Sequence, residues 1–167
     1  MRRPLKLHPD SVSEAIKAIE VETSLLGSGK LALHYNMMGS IADLRLPAEA
    51  RPERADGLWQ HTCFEAFVSG PGEHYYEFNF SPSRQWAAYA FDGYRRGMRD
   101  LDIEAPLIAR TPNGLRVEIA LPGEAPWRLG LSAVIEEASG RKSYWALAHP
   151  EGKADFHHPE SFICELS

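Results

Sequence analysis

Glu65, Glu77 and Asn79 all fall at odd-numbered positions of residues 58–91, a stretch that also carries three aromatic-rich runs with Trp59 and Trp86. On a strand, positions two apart point to the same face, so this spacing gathers two carboxyl groups and an amide on one surface. Carboxylates accept hydrogen bonds from vicinal hydroxyls, amides donate and accept, and a guanidinium such as Arg84 donates in a fork. An indole adds a flat apolar surface for the C–H face of a pyranose, and Trp59, Trp86 and Trp145 are the candidates for that platform. With Gln60, these residues spell saccharide recognition in a concave site.

The same two carboxyl groups permit a second chemistry. Glycosidases hold a pair of acids on either side of the scissile bond, and cross-strand neighbours match the shorter separation used by retaining enzymes. If Glu65 stands directly opposite Glu77, like charges meet across the strands, which costs stability unless a cation, a ligand or a proton intervenes. Salt bridges to Arg84, Arg95 or Arg96 are the structural alternative. Ser81 and Ser83 lack a nucleophile elbow, and Cys63 reads as a packed thiol, so no catalytic residue is assigned. His149, Asp155, His157 and His158 carry imidazole and carboxylate donors without a diagnostic metal spacing, so no metal is expected.

The elements that position these groups read as β-structure. A turn at Gly70-Pro71-Gly72 pairs residues 62–68 with 75–81 as a hairpin. One face holds Phe64, Ala66, Val68, Tyr76, Phe78 and Phe80, the expected core. The other mixes rings and polar groups and extends back through His61 to Trp59. Alternation also predicts a hairpin of residues 19–23 and 31–36 around Gly27-Ser28-Gly29. Asn113-Gly114 joins 107–111 to 115–121, Ser139-Gly140 joins 129–137 to 141–149, and residues 85–91 and 162–166 complete the set. Ser11 to Glu14 fits a capping box and predicts a helical turn through Lys17. Residues 47–57 and 94–106 read as loops. The expected fold is an all-β antiparallel sandwich, jelly-roll or immunoglobulin-like, with about ten strands in one domain, 1–167.

Composition narrows the partners. The chain has 167 residues and a net charge of −5, which opposes general attraction to phosphate backbones or anionic lipid, so neither nucleic acid nor membrane is expected. No phosphate-cradling glycine motif occurs. The amino terminus lacks an apolar run fit for a signal peptide, which points to the cytoplasm, where Cys63 and Cys164 are expected as buried thiols. Oligomeric state is left open.

The stretches LWQHTCFEAFV (58–68), YYEFNFSPSRQWAAYAF (75–91), YRRGM (94–98) and YWALAHPEGKADFHHPESF (144–162) resemble the DOMON-like bacterial proteins related to carbohydrate-binding module family 9. The resemblance implies a β-sandwich whose relatives bind sugars or haem. It favours Trp59 and Trp145 as the pair that brackets a terminal sugar. It also brings in non-covalent haem b, for which Met98 and His157 are the expected axial ligands, since no C-x-x-C-H attachment motif is present. The expected function is therefore a non-catalytic binding module for a saccharide or sugar-containing metabolite, with a haem redox domain and a glycoside hydrolase as alternatives.

Overall fold

The computed structural model describes residues 1–166. Twelve strands form: β1 (Arg2–Leu7), β2 (Ile16–Leu26), β3 (Lys30–Gly39), β4 (Cys63–Ser69), β5 (Tyr75–Phe80) and β6 (Trp86–Phe91). They continue as β7 (Arg99–Asp100), β8 (Leu107–Thr111), β9 (Gly114–Ala120), β10 (Trp127–Glu136), β11 (Lys142–Ala146) and β12 (Cys164–Leu166). All pair antiparallel in one curled sheet, in the order β7-β6-β5-β4-β10-β11-β1-β2-β3-β9-β8, with β12 against β10.

The expected all-β class holds, with two strands more than the alternation revealed. β1 escapes a periodicity reading because Arg2, Arg3, Pro4 and Lys6 dilute its apolar pattern. It is the joint of the sheet: residues 2–5 pair with β2, while Lys6 and Leu7 pair with β11. Pro4 lies in the part with a single neighbour, where a missing N–H breaks no second ladder. β7 is two residues long within the segment expected as loop. The helical turn expected from Ser11 does not form. Glu137, 122 positions beyond Ala15 in the chain, accepts the backbone N–H groups of Glu14 (2.8 Å) and Ala15 (3.0 Å), and Ser13 donates to Ile16 O, so a tertiary contact replaces the local cap.

The two halves of the sheet pack across one core. Ile19, Val21, Leu31, Leu33 and Tyr35 from β2 and β3 meet Phe64, Phe78, Leu131, Ala133 and Trp145 from the other half. Each fully buried large side chain contributes roughly 1.5–3 kcal/mol relative to exposure. The Tyr35 ring lies 5.0 Å from that of Phe64 and its hydroxyl donates to Glu65 O at 2.7 Å, pinning the backbone behind a candidate site residue.

The halves differ on their second faces. β2 and β3 alternate buried and accessible residues, as a strand with one wet face does. β4, β5, β6 and β10 are buried on both faces along most of their length. The extra cover comes from connecting segments, and the space they leave over the sheet is the candidate site.

Candidate functional site

The central hairpin forms as expected, with Phe64 opposite Phe80, Ala66 opposite Phe78 and Val68 opposite Tyr76 on the core side. Its register puts Glu65 opposite Asn79 and Phe67 opposite Glu77, so the two carboxyl groups are diagonal neighbours rather than directly opposed. Phe67, Tyr75, Ala87, Tyr89 and Phe91 share this outer face and form a second apolar cluster with Phe162, backed by Leu58 and Phe156. From that cluster Tyr89 and Phe91, beside Glu65 and Glu77, give the sheet-side floor of a hollow of about 460 Å³, and Phe156 lines it from the loop side.

Three connecting segments build its rim. In the first, Gly57 adopts a left-handed backbone (φ 72°) and starts a 3-10 turn, Leu58–Gln60. The reversal turns Leu58 toward the outer cluster and leaves Trp59 at the mouth of the hollow, 55% exposed. Tyr89 donates to the Asp56 carboxylate and His61 Nδ1 to Glu136 (3.1 Å), fastening the turn from both sides. The β6–β7 connection supplies Arg95 and Met98, and the β11–β12 connection supplies Ala154, Phe156 and His157. Val134 and Tyr144, paired across β10 and β11, close the remaining side.

His157 holds the roof to the floor. Its ring sits 5.0 Å from Phe67 and 5.2 Å from Phe91, and burial together with the Arg95 charge lowers its pKa to about 4. The ring is therefore neutral at pH 7. Arg95 N–H donates to the Tyr75 oxygen (3.1 Å), leaving the Tyr75 proton for His157 Nδ1 (2.9 Å). The remaining imidazole proton is then on Nε2, 3.6 Å from the Glu77 carboxylate.

Glu65 and Glu77 are 3% and 6% exposed. Burial, then the nearby Glu77 charge, holds the Glu65 carboxyl well above the usual range, against the Ser132 hydroxyl at 3.4 Å. Burial raises Glu77 to about 7, against the lowering effects of Asn79 and Arg95. Asn79 lies near enough to Glu77 to influence it, yet neither its Nδ2 nor its Oδ1 reaches a partner in hydrogen-bonding geometry. Arg95 itself is engaged by Asp155 at 2.8 Å.

Of the residues expected at the site, Trp59, Glu65 and Glu77 share the hollow, and Asn79 lies on the same sheet face. Met98 and His157 line it as well. Trp145 does not. It stands opposite Ala133 on the core side, 4% exposed, with Nε1 donating to Ser143, so the expected pair of bracketing indoles is not assembled. Its neighbour Tyr144 is the ring that faces the hollow. Gln60 is exposed beside Gly57 and Arg84 sits in the β5–β6 turn at φ 76°, both outside the lining. Trp86 packs in the core under Arg54. Tyr89, Phe91, Arg95, Tyr144 and Phe156 were missed. The period-two pattern of β6 was enough to find Tyr89 and Phe91, whereas Phe156 and Arg95 lie on loops that carry no local signal.

Among the described residues no group of three or more His, Cys, Asp or Glu is arranged to hold a metal ion. Cys63 and Cys164 are buried free thiols, and no helix is long and apolar enough to cross a membrane.

No family model and no curated protein matches the chain, so the DOMON-like resemblance rests on the motif stretches alone. A solved structure shares the fold: a "putative carbohydrate-binding protein" from Bacteroides uniformis, 13% identical, with a TM-score of 0.66 over 98% of this chain and 84% of that one. At that identity the likeness is one of fold.

Proposed function

We propose that the hollow binds a saccharide or sugar-containing metabolite without chemical change, on a curled sheet of the DOMON-like sandwich type. One observation carries this reading: a largely exposed indole, Trp59, stands at the mouth of a hollow whose floor holds two buried carboxyl groups, Glu65 and Glu77. An apolar ring face and hydrogen-bonding edges are what a pyranose requires. Burial of the carboxyl groups keeps bulk water from competing for the hydroxyls. The carbohydrate-binding description of the Bacteroides uniformis protein adds weight as a fold analogue.

The test is isothermal titration with neutral and charged monosaccharides and short oligosaccharides, on wild type and Trp59→Ala. Binding by wild type and its loss in a folded Trp59→Ala protein support the reading. Equal binding by both overturns it.

Haem is the second reading, because Met98 and His157 line the same hollow. Iron ligation through Nε2 requires that nitrogen to turn from Glu77, whereas Nδ1 can keep the Tyr75 oxygen as its partner, donating to it in the other tautomer. Haemin titration followed at the Soret band separates the two.

A further inference from the structure

The charges around the hollow do not balance. Arg95, the cation on its wall, is paired with Asp155 at 2.8 Å, and His157 carries no charge at neutral pH. Glu65 has a neutral hydroxyl donor, Ser132, and Glu77 has the imidazole of His157 at 3.6 Å. Among the described residues neither carboxyl pairs with a lysine or arginine within 4.0 Å. Enclosing carboxylates without a counter-charge is expensive, so such groups either keep their protons or await a cation.

Two further features point to the cation. Asn79 is 1% exposed, stands across the strands from Glu65 and two residues from Glu77 on the same face, and leaves its Oδ1 and Nδ2 unpartnered. Buried amides almost always find partners; the neighbour within reach of this one is the Glu77 carboxyl, whose pKa it lowers, which leaves the Asn79 carbonyl for a donor brought by a ligand. The lining around them is rich in aromatic rings: Trp59, Tyr89, Phe91, Tyr144 and Phe156. Ring faces attract cations and do so more strongly when desolvated. An ammonium has three donors and no acceptor. Glu65, Glu77 and the Asn79 carbonyl offer three acceptors on one face.

We infer that the ligand is an amino sugar, a pyranose whose ring packs on Trp59 and whose ammonium is taken by Glu65, Glu77 and Asn79. This rests on the saccharide reading above and narrows it to a charged class. A hydroxyl carries no charge, so unlike the ammonium it does not favour ionisation of the two enclosed carboxyl groups and gains no charge-assisted contact from them. An N-acetyl group does not either, since it is neutral and offers one donor.

The test is titration of the full chain at pH 7 with glucosamine, galactosamine and mannosamine, each against its N-acetylated and unsubstituted counterpart, with choline as a cation lacking a sugar ring. At least one amino sugar is expected to bind about tenfold or more tighter than both of its neutral counterparts, as loss of a charge-assisted contact dictates. Equal binding within every set overturns the inference and leaves the saccharide reading standing. Binding of choline but of no sugar overturns both, as does binding of nothing in the panel. Glu77→Gln, checked for folding by its thermal transition, should reduce the amino-over-neutral preference about tenfold. If that variant does not fold, Asn79→Asp supplies the second arm: an added carboxylate on the same face should raise the preference, and a fall would count against the assignment.

Discussion

The Tyr75 hydroxyl lies 2.9 Å from Nδ1 of His157, 82 positions along the chain, and ties the roof of the hollow to its floor. Tyr75 also stacks on Phe91 at a centroid distance of 4.7 Å, and its oxygen accepts the Arg95 N–H. One side chain therefore fixes the β6–β7 and β11–β12 connections relative to the sheet. Tyr75→Phe keeps the stack and removes the hydroxyl. It should cost about 1–2 kcal/mol in urea unfolding, and the amides of residues 154–162 should exchange faster while β2 and β3 keep their protection. Unaltered exchange in that loop would show that ring packing alone holds the roof.

The enclosed acids set a pH dependence. Glu77 is raised from an ordinary 4.5 to about 7 by burial, with Glu65 raised as well. A carboxyl raised on folding contributes stability that is complete below about pH 4.5 and lost as pH rises through 7. His157, lowered to about 4, works in reverse: its contribution is complete above about pH 6.5 and lost as pH falls toward 4. The two offset each other between those limits. Above pH 6.5 the glutamates act alone, so the ligand-free protein should weaken from pH 6.5 to 8. Relative to Glu77→Gln, wild type should lose on the order of 3 kcal/mol of unfolding free energy between pH 4.5 and 8. Parallel profiles for the two proteins would mean that Glu77 titrates as an ordinary surface acid.

The two tryptophans expected to act together should separate cleanly. Trp59 is exposed and Trp145 is in the core. Trp59→Ala should leave stability within about 1 kcal/mol, as surface changes do, while abolishing saccharide binding. Trp145→Ala should cost about 3–5 kcal/mol through the cavity it leaves. Guanidinium unfolding of both variants decides this, and a heavy loss from Trp59→Ala would move that ring into the core.

Gly130 lets the roof come down. A β-carbon there would lie 2.5 Å from Cδ1 of Phe162, the ring stacked on Phe67 at 5.7 Å. Gly130→Ala should lift Phe162 from the outer cluster at a cost of about 1–3 kcal/mol and weaken ligand binding. Full retention of both stability and binding would show that Phe162 has room to move.

Much of the sheet was legible in the sequence because its cues are local. Asn113-Gly114, Gly27-Ser28-Gly29 and Gly70-Pro71-Gly72 mark reversals, and the alternation beside them assigns each side chain to a face. The acidic and aromatic outer face of β4 and β5 followed directly, with Glu65, Glu77 and Asn79 on it.

Alternation separates two faces without saying which will be covered, and by what. Tyr144 and Trp145 are adjacent, so one had to enter the core and the other the outer face; pairing of Trp145 with Ala133 made the choice. Likewise the roof of Phe156, His157 and Phe162 closes over residues 67–91 through packing and hydrogen bonds between segments far apart in the chain, among them Tyr75–His157 and Arg95–Asp155. Local sequence marked most of the strands, their reversals and the chemistry on each surface. The tertiary structure alone decided which surface became an enclosed hollow, because burial is a sum over distant contacts that no window of neighbouring residues contains.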